Sequence, residues 1–114
     1  MRGRYRALFL IPAGSSRRLT AEGWWEFESS ERIPQAFVDA LVEAFDATFK
    51  EEFLGTRVHS AERLEISAAY DATGEIEVVQ IKDYGDPRPI APRILQIIDE
   101  QQAPVTLFDP LSAS

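Results

Sequence analysis

Alternation of apolar and polar residues marks two strands near the start of the chain. Residues 4–11 alternate between two sets of side chains, and the second half of this segment is apolar in both sets, which predicts a strand. Pro12 and the small residues after it end that strand. A second strand is predicted over 23–28. Because neighbouring strand residues point to opposite faces, Trp24 and Trp25 would lie on opposite sides of it.

A repeat of three and four residues follows Pro34, a residue suited to the first turn of a helix. We predict a helix over 34–53, ended by Gly55. Its apolar stripe consists of Phe37, Leu41, Ala44, Phe45, Thr48, Phe49 and Phe53. The opposite, polar side carries Asp39, Glu43, Asp46 and Lys50.

The second half of the chain repeats a strand–strand–helix order. Residues 63–70 and 75–82 flank a short connection that ends in Gly74, which predicts a hairpin with a bulge. A helix over about 92–102 follows it, and 105–108 form a brief edge strand.

These elements predict a two-layer α+β fold, with a mainly antiparallel sheet of four or five strands and two helices packed on one face. The expected order is ββαββα, and a ferredoxin-like βαββαβ order is the alternative. The chain has the usual size of one domain. We therefore expect residues 1–114 to form a single domain, with a loose tail from about residue 109.

The sheet face away from the helices is the first candidate for function. Continuous pairing across the second hairpin sets Ala68 opposite Val78. The face away from the helices would then carry Leu8, Leu10, Val79, Ile81 and one tryptophan. Two explanations stay open, because contiguous apolar patches seldom remain exposed on monomers. Either the C-terminal segment around Leu107, Phe108 and Leu111 folds over this face, or a partner binds there.

Composition removes several classes of function. The chain has no cysteine, which excludes disulfides, thiolate metal sites, iron–sulfur clusters and cysteine nucleophiles. The apolar run over 7–11 stops at Pro12, short of the about 7 to 15 residues of a secretory signal and the ~20 residues of a membrane span. We therefore expect a cytoplasmic protein.

The net charge of −7 is unevenly distributed. Residues 1–21 hold five arginines and no acidic residue, a net charge of +5, and residues 22–114 have a net charge of −12. An acidic body of this kind argues against binding to duplex nucleic acid. Cross-strand pairing in a hairpin would neutralise part of the basic segment. The pairs would be formed by Arg4 and Arg6 with Glu26 and Glu28. A basic patch that orients a partner is the alternative.

Few residue patterns point to chemistry. His59 is the only histidine, so a metal site built on several histidines is excluded, and we interpret His59 as a loop residue rather than a general base. Residues 14–18 end in Arg17 and Arg18, and such a loop could bind an anion through backbone N–H and guanidinium groups. It lacks the spacing of a phosphate-binding loop, and we interpret it as a polar hairpin loop. No metal site or cofactor is predicted.

We therefore expect a non-enzymatic protein–protein interaction module, such as a small inhibitor, an immunity-type protein or an accessory subunit. It would act through the acidic helix face and the aromatic residues of the sheet, because exposed aromatic residues are favoured interface anchors. The expected binding residues are Trp24, Trp25, Asp39, Glu43, Asp46, Arg17 and Arg18. The expected partner is another protein or a second copy of the chain, and not a membrane.

The alternative is a small-ligand-binding or catalytic dimer of ferredoxin-like domains. Its pocket would lie between the sheet and the helices. His59, Tyr70 or Tyr84 would transfer protons there.

Overall fold

The structure, a computed structural model, describes residues 5–85 and 90–112. Its strands are β1 (Arg6–Pro12), β2 (Ser16–Leu19), β3 (Trp25–Glu28), β4 (Thr48–Phe53), β5 (Thr56–Ser60), β6 (Leu64–Tyr70), β7 (Ile76–Asp83) and β8 (Val105–Phe108). Its helices are α1 (Gln35–Ala44), α2 (Ala91–Gln101) and a short 3-10 helix, Pro110–Ser112. The expected ion pair of Arg4 lies outside the described residues.

Six strands form one antiparallel sheet in the order β4-β5-β6-β7-β1-β8, and β2 and β3 form a separate two-stranded sheet. The predicted α+β class and antiparallel sheet are confirmed. The strand count of four or five is wrong, and neither the ββαββα nor the ferredoxin-like order matches. There are two reasons. Strands β4 and β5 add a hairpin after α1 that was not predicted, and β1 pairs with β7 and β8 rather than with the next strand along the chain.

The first helix is half as long as predicted, because a helix-ending motif follows Ala44. The N–H of Asp46 donates to the carbonyl of Glu43 at 3.1 Å, and the N–H of Ala47 donates to that of Val42 at 2.9 Å. Asp46 itself has a left-handed φ of 53°. These two bonds and the left-handed residue make up a Schellman motif, which usually has glycine at this place.

The segment predicted as the second half of that helix is instead strand β4. Leu54 and Gly55, which connect β4 to β5, have φ angles of 48° and 75°. Two positive φ angles in a two-residue connection are typical of a tight hairpin turn. Gly55 therefore turns a hairpin and does not end a helix.

Both helices contribute to one core on one face of the large sheet, which we call the helix face. Its buried residues from α1 and α2 are Phe37, Val38, Leu41, Ile94 and Ile97. Its buried residues from the central strands are Leu8, Leu10, Leu64, Ile66, Ala68, Ile76, Val79 and Ile81. The prediction that Leu8, Leu10, Val79 and Ile81 lie on the opposite face is therefore wrong.

A bulge explains why Val79 and Ile81 of β7 lie on the face opposite to the predicted one. Tyr70 pairs with Ile76 as predicted, but the register then shifts by one residue between Ala69 and Tyr70. Ala68 consequently pairs with Val79 instead of Val78. A shift of one residue moves every later side chain of a strand to the other face.

The face opposite the helices, which we call the far face, carries Phe9 and Phe108. Hairpin β2–β3 covers both. The ring centroids of Phe9 and Phe27 are 5.0 Å apart, and those of Trp25 and Phe108 are 4.7 Å apart in an edge-on arrangement. This part of the far face is thus covered by a segment that the sequence places next to β1.

Neither helix within the described ranges is long and apolar enough to cross a bilayer.

Candidate functional site

Hairpin β2–β3 brings together four of the seven expected binding residues. Arg17 pairs with Phe27, Arg18 with Glu26, and Leu19 with Trp25. A short loop closes the hairpin, with the N–H of Thr20 donating to the carbonyl of Trp24 at 2.7 Å. The backbone amide of Trp24 in turn donates to the hydroxyl of Thr20 at 3.2 Å. These bonds fix the backbone on both sides of Trp24.

The inner side of the hairpin is an aromatic cluster centred on Phe108, which is 3% exposed. Trp25 and Phe27 both meet the Phe108 ring edge-on, with centroids 4.7 and 5.8 Å away. The guanidinium carbon of Arg17 lies 4.6 Å from the centre of the same ring, within the range of a cation–π contact. Trp25 and Arg17 therefore anchor the hairpin to the large sheet.

The outer side of the hairpin carries Trp24 and a surface ion pair. Trp24 is 58% exposed. Arg18 pairs with Glu26 across the two strands. An open groove of about 600 Å³ runs beside this pair. It is lined by Ser16, Arg17, Arg18, Glu26, Phe27 and Glu28.

The three expected acidic residues lie elsewhere. Asp39 and Glu43 are exposed on α1, and Asp46 is exposed in the turn that follows it. Asp39 accepts a hydrogen bond of 3.0 Å from the side-chain amide of Gln35. Because α1 packs on the helix face and the hairpin packs on the far face, the acidic residues and Trp24 are on opposite layers of the protein.

Residues 14–18 do not gather the two arginines around one point. The amide and hydroxyl groups of Ser15 both donate to the carbonyl of Pro12, and β2 begins at Ser16. Arg17 then contacts Phe108 and Arg18 contacts Glu26, on opposite sides of the hairpin. Arg6 also departs from the expected pairing with β3, since its guanidinium group contacts Asp109.

The three candidate proton-transfer residues each have a structural partner. His59 belongs to β5, not to a loop, and meets the ring of Phe49 edge-on at 5.8 Å. Burial, with a smaller contribution from the charge of Arg57, lowers the pKa of His59. The hydroxyl of Tyr70 donates to the side chain of Gln35 at 3.0 Å. The ring of Tyr84 lies 5.8 Å from that of Tyr5.

A strong electrostatic effect lies at Asp71, which sequence patterns did not single out. Its carboxylate accepts hydrogen bonds from Arg32 Nε at 2.9 Å and from the Thr73 hydroxyl at 2.7 Å. The backbone amides of Thr73 and Glu75 also donate to it. These donors, Arg32 first, hold the pKa of Asp71 well below its ordinary range. All of them belong to the turn before β7 or the segment before α1, so Asp71 joins two parts of the fold.

Within residues 5–85 and 90–112, acidic and histidine side chains form no cluster of three that could bind a metal. No protein-family model, curated protein or solved structure matches the chain.

Proposed function

We propose that this protein is a non-enzymatic, cytoplasmic binding module that recognises a protein partner through the outer side of hairpin β2–β3. The observation that carries the proposal is the position of Trp24. It is 58% exposed, yet its backbone is fixed by the loop bonds with Thr20. An aromatic residue held in place before binding contributes contact area at little cost in conformational entropy.

The anchoring of the hairpin supports the same proposal. Trp25, Phe27 and Arg17 face inward on the Phe108 ring, and so the hairpin is not free to fold Trp24 into the core. Beside Trp24, the Arg18–Glu26 pair and the open groove supply the polar surroundings that are typical of the rim of an interface.

The alternative of a pocket between sheet and helices receives less support. Side chains of both layers fill that space, since Phe37, Leu41, Ile66 and Ile94 are each at most 1% exposed. His59, Tyr70 and Tyr84 contact different partners. The acidic residues Asp39, Glu43 and Asp46 are left out of the proposed interface, because one compact surface would not include both layers.

Substitution of Trp24 tests the proposal. The bait proteins are the wild-type chain, Trp24→Ala and the matched control Leu95→Ala, which removes a side chain 53% exposed on α2. Each is used to capture proteins from the native cell, and the affinity for the captured protein is then measured by calorimetry. A central interface tryptophan contributes about 2 kcal/mol or more, so Trp24→Ala should weaken binding roughly 30-fold.

Leu95→Ala should leave the affinity within about twofold of wild type. Equal binding by the wild-type chain and Trp24→Ala would show that the hairpin is not the interface.

A further inference from the structure

Strand β4 is an edge of the large sheet that is exposed along its whole length. In the part of the chain that the structure describes, β4 is hydrogen-bonded on one side only, to β5. All six of its residues are exposed. They include Phe49 at 60% and Phe53 at 51%. Edge strands offer unpaired backbone groups to other chains, and exposed aromatic side chains increase that tendency.

The partners of β4 show which of its residues face the helices. Phe49 lies opposite His59, which in turn lies opposite the core residue Ile66. Glu52 lies opposite Arg57, which lies opposite the core residue Ala68. Side chains that are directly opposite share a face of the sheet. Phe49 and Glu52 are therefore on the helix face.

The other four residues of β4 are on the far face. Thr48, Glu51 and Phe53 lie opposite Ser60, Val58 and Thr56, which alternate with His59 and Arg57 along β5. The ammonium group of Lys50 is 2.9 Å from the carboxylate of Glu65. Glu65 is on the far face because it alternates with Leu64 and Ile66. A bulge between Phe49 and Glu51 allows Lys50 and Glu51, although adjacent, to share this face.

From Thr48 to Phe53, the side chains of β4 thus lie in turn on the far, helix, far, far, helix and far faces of the sheet. This order is the same when it is read from either end of the strand. A two-fold axis perpendicular to the sheet keeps each residue on its own face when a second copy pairs antiparallel. With that axis between Lys50 and Glu51, every residue meets one on the same face. An unbroken strand could not do this, because adjacent residues would point to opposite sides.

Charge favours the same alignment. With the axis between Lys50 and Glu51, Lys50 lies opposite Glu51 of the second copy, and the two-fold symmetry forms this pair twice. The Lys50 side chain is still 48% exposed while it contacts Glu65, so it is able to turn from Glu65 towards the second copy. If the alignment moved by one residue, Glu51 would lie opposite Glu51 of the second copy. Phe49 would then lie opposite Phe53, which is on the other face of the sheet.

We propose that two copies of this chain pair through antiparallel β4 strands and so join their sheets. A bulge and charged residues usually keep edge strands apart. Here both features are self-complementary, and they restrict pairing to one register instead of preventing it. This interface is separate from hairpin β2–β3 and would leave Trp24 free for another partner.

Charge reversal tests the register. The dimer affinity of the purified full chain is measured by sedimentation equilibrium over about two orders of magnitude in concentration. Lys50→Glu and Glu51→Lys each set like charges across the axis twice, so each should weaken the dimer by about tenfold or more. An equimolar mixture of the two variants should restore a dimer, since every opposed pair is then of opposite charge. Circular dichroism checks that each variant is folded.

Glu52→Lys is the matched control. In the proposed register, residue 52 faces Phe49 of the second copy, so reversing its charge should change the dimer affinity by less than about threefold. A wild-type chain that stays monomeric at the highest concentration would overturn the proposal. So would a mixture of Lys50→Glu and Glu51→Lys that remains monomeric, or an effect of Glu52→Lys as large as that of Glu51→Lys. Because Glu51→Lys does not touch Glu65, its result does not depend on the Lys50–Glu65 pair.

Discussion

Phe108 should determine whether hairpin β2–β3 stays on the sheet. Its ring is 3% exposed and contacts Trp25, Phe27 and Phe9, with Arg17 above it. Replacing a buried phenylalanine by alanine costs about 3 to 5 kcal/mol of unfolding free energy. Domains of this size are stable by about 5 to 15 kcal/mol. Phe108→Ala should therefore remain folded at 25 °C but with a clearly lower midpoint in urea.

The share of that loss due to the hairpin can be isolated with a double-mutant cycle. An aromatic pair in edge-on contact contributes about 0.5 to 1.5 kcal/mol beyond its buried area. Phe108→Ala, Trp25→Ala and the double variant should therefore show a coupling energy in that range, measured by urea unfolding followed by circular dichroism. Leu111→Ala, which truncates an exposed side chain three positions further on, should change stability by at most about 0.5 kcal/mol. Additive effects of Phe108→Ala and Trp25→Ala would refute the docking of the hairpin on Phe108.

Two further predictions follow from shifted pKa values. The pKa of His59 is lowered in the fold, so the unfolded chain binds the proton first as the pH decreases. The contribution of His59 to stability should therefore be constant above pH ~6.5 and fall below it. His59→Gln should lose this dependence. A urea midpoint that falls equally in both proteins between pH 7 and 5.5 would contradict this. The pKa of Asp71 is also lowered, chiefly by Arg32, so its contribution is present above pH ~3.9 and is lost as the pH falls below that value. Asp71→Asn should lower the melting temperature at neutral pH, whereas the exposed control Asp99→Asn should not. Equal melting temperatures for the two variants would show that Asp71 does not connect the turn before β7 to the segment before α1.

Local patterns predicted the second half of the chain well. The helix expected over about 92–102 is Ala91–Gln101, and the edge strand expected over 105–108 is Val105–Phe108. The predicted turn before Glu75 is also present, with the N–H of Asp71 donating to the carbonyl of Glu75 at 2.8 Å. Proline at a helix start and glycine in a turn are local signals, and nothing distant opposes them here.

The errors have two physical causes. Asp46 adopts the left-handed conformation that usually requires glycine, so the sequence offered no visible end to the first helix. The Phe49–Phe53 spacing then suited a helix as well as a strand. The Leu54-Gly55 pair was the available signal for a hairpin, because a glycine in a two-residue connection is typical of tight turns. A bulge between Ala69 and Tyr70 caused the second error, the placement of Val79 and Ile81 on the wrong face of the sheet.

The candidate site was predictable only in part. Alternation correctly predicted that Trp24 and Trp25 lie on opposite sides of the chain, and the structure shows Trp24 outward and Trp25 inward. The surface on which the hairpin packs was not predictable, because Phe108 comes from the far end of the chain and reaches Phe9 through the pairing of β8 with β1. Local sequence carries little information on such distant pairings.

The central position of β1 also has a consequence during synthesis. Leu10 pairs with Val79 and Leu107, so this apolar strand leaves the ribosome before both of the strands that pair with it. During that time its edges are open to chaperones and to aggregation. Arginines at positions 2 and 4 precede this strand, Arg6 begins it and Pro12 ends it. Such flanking residues discourage aggregation of an exposed apolar segment.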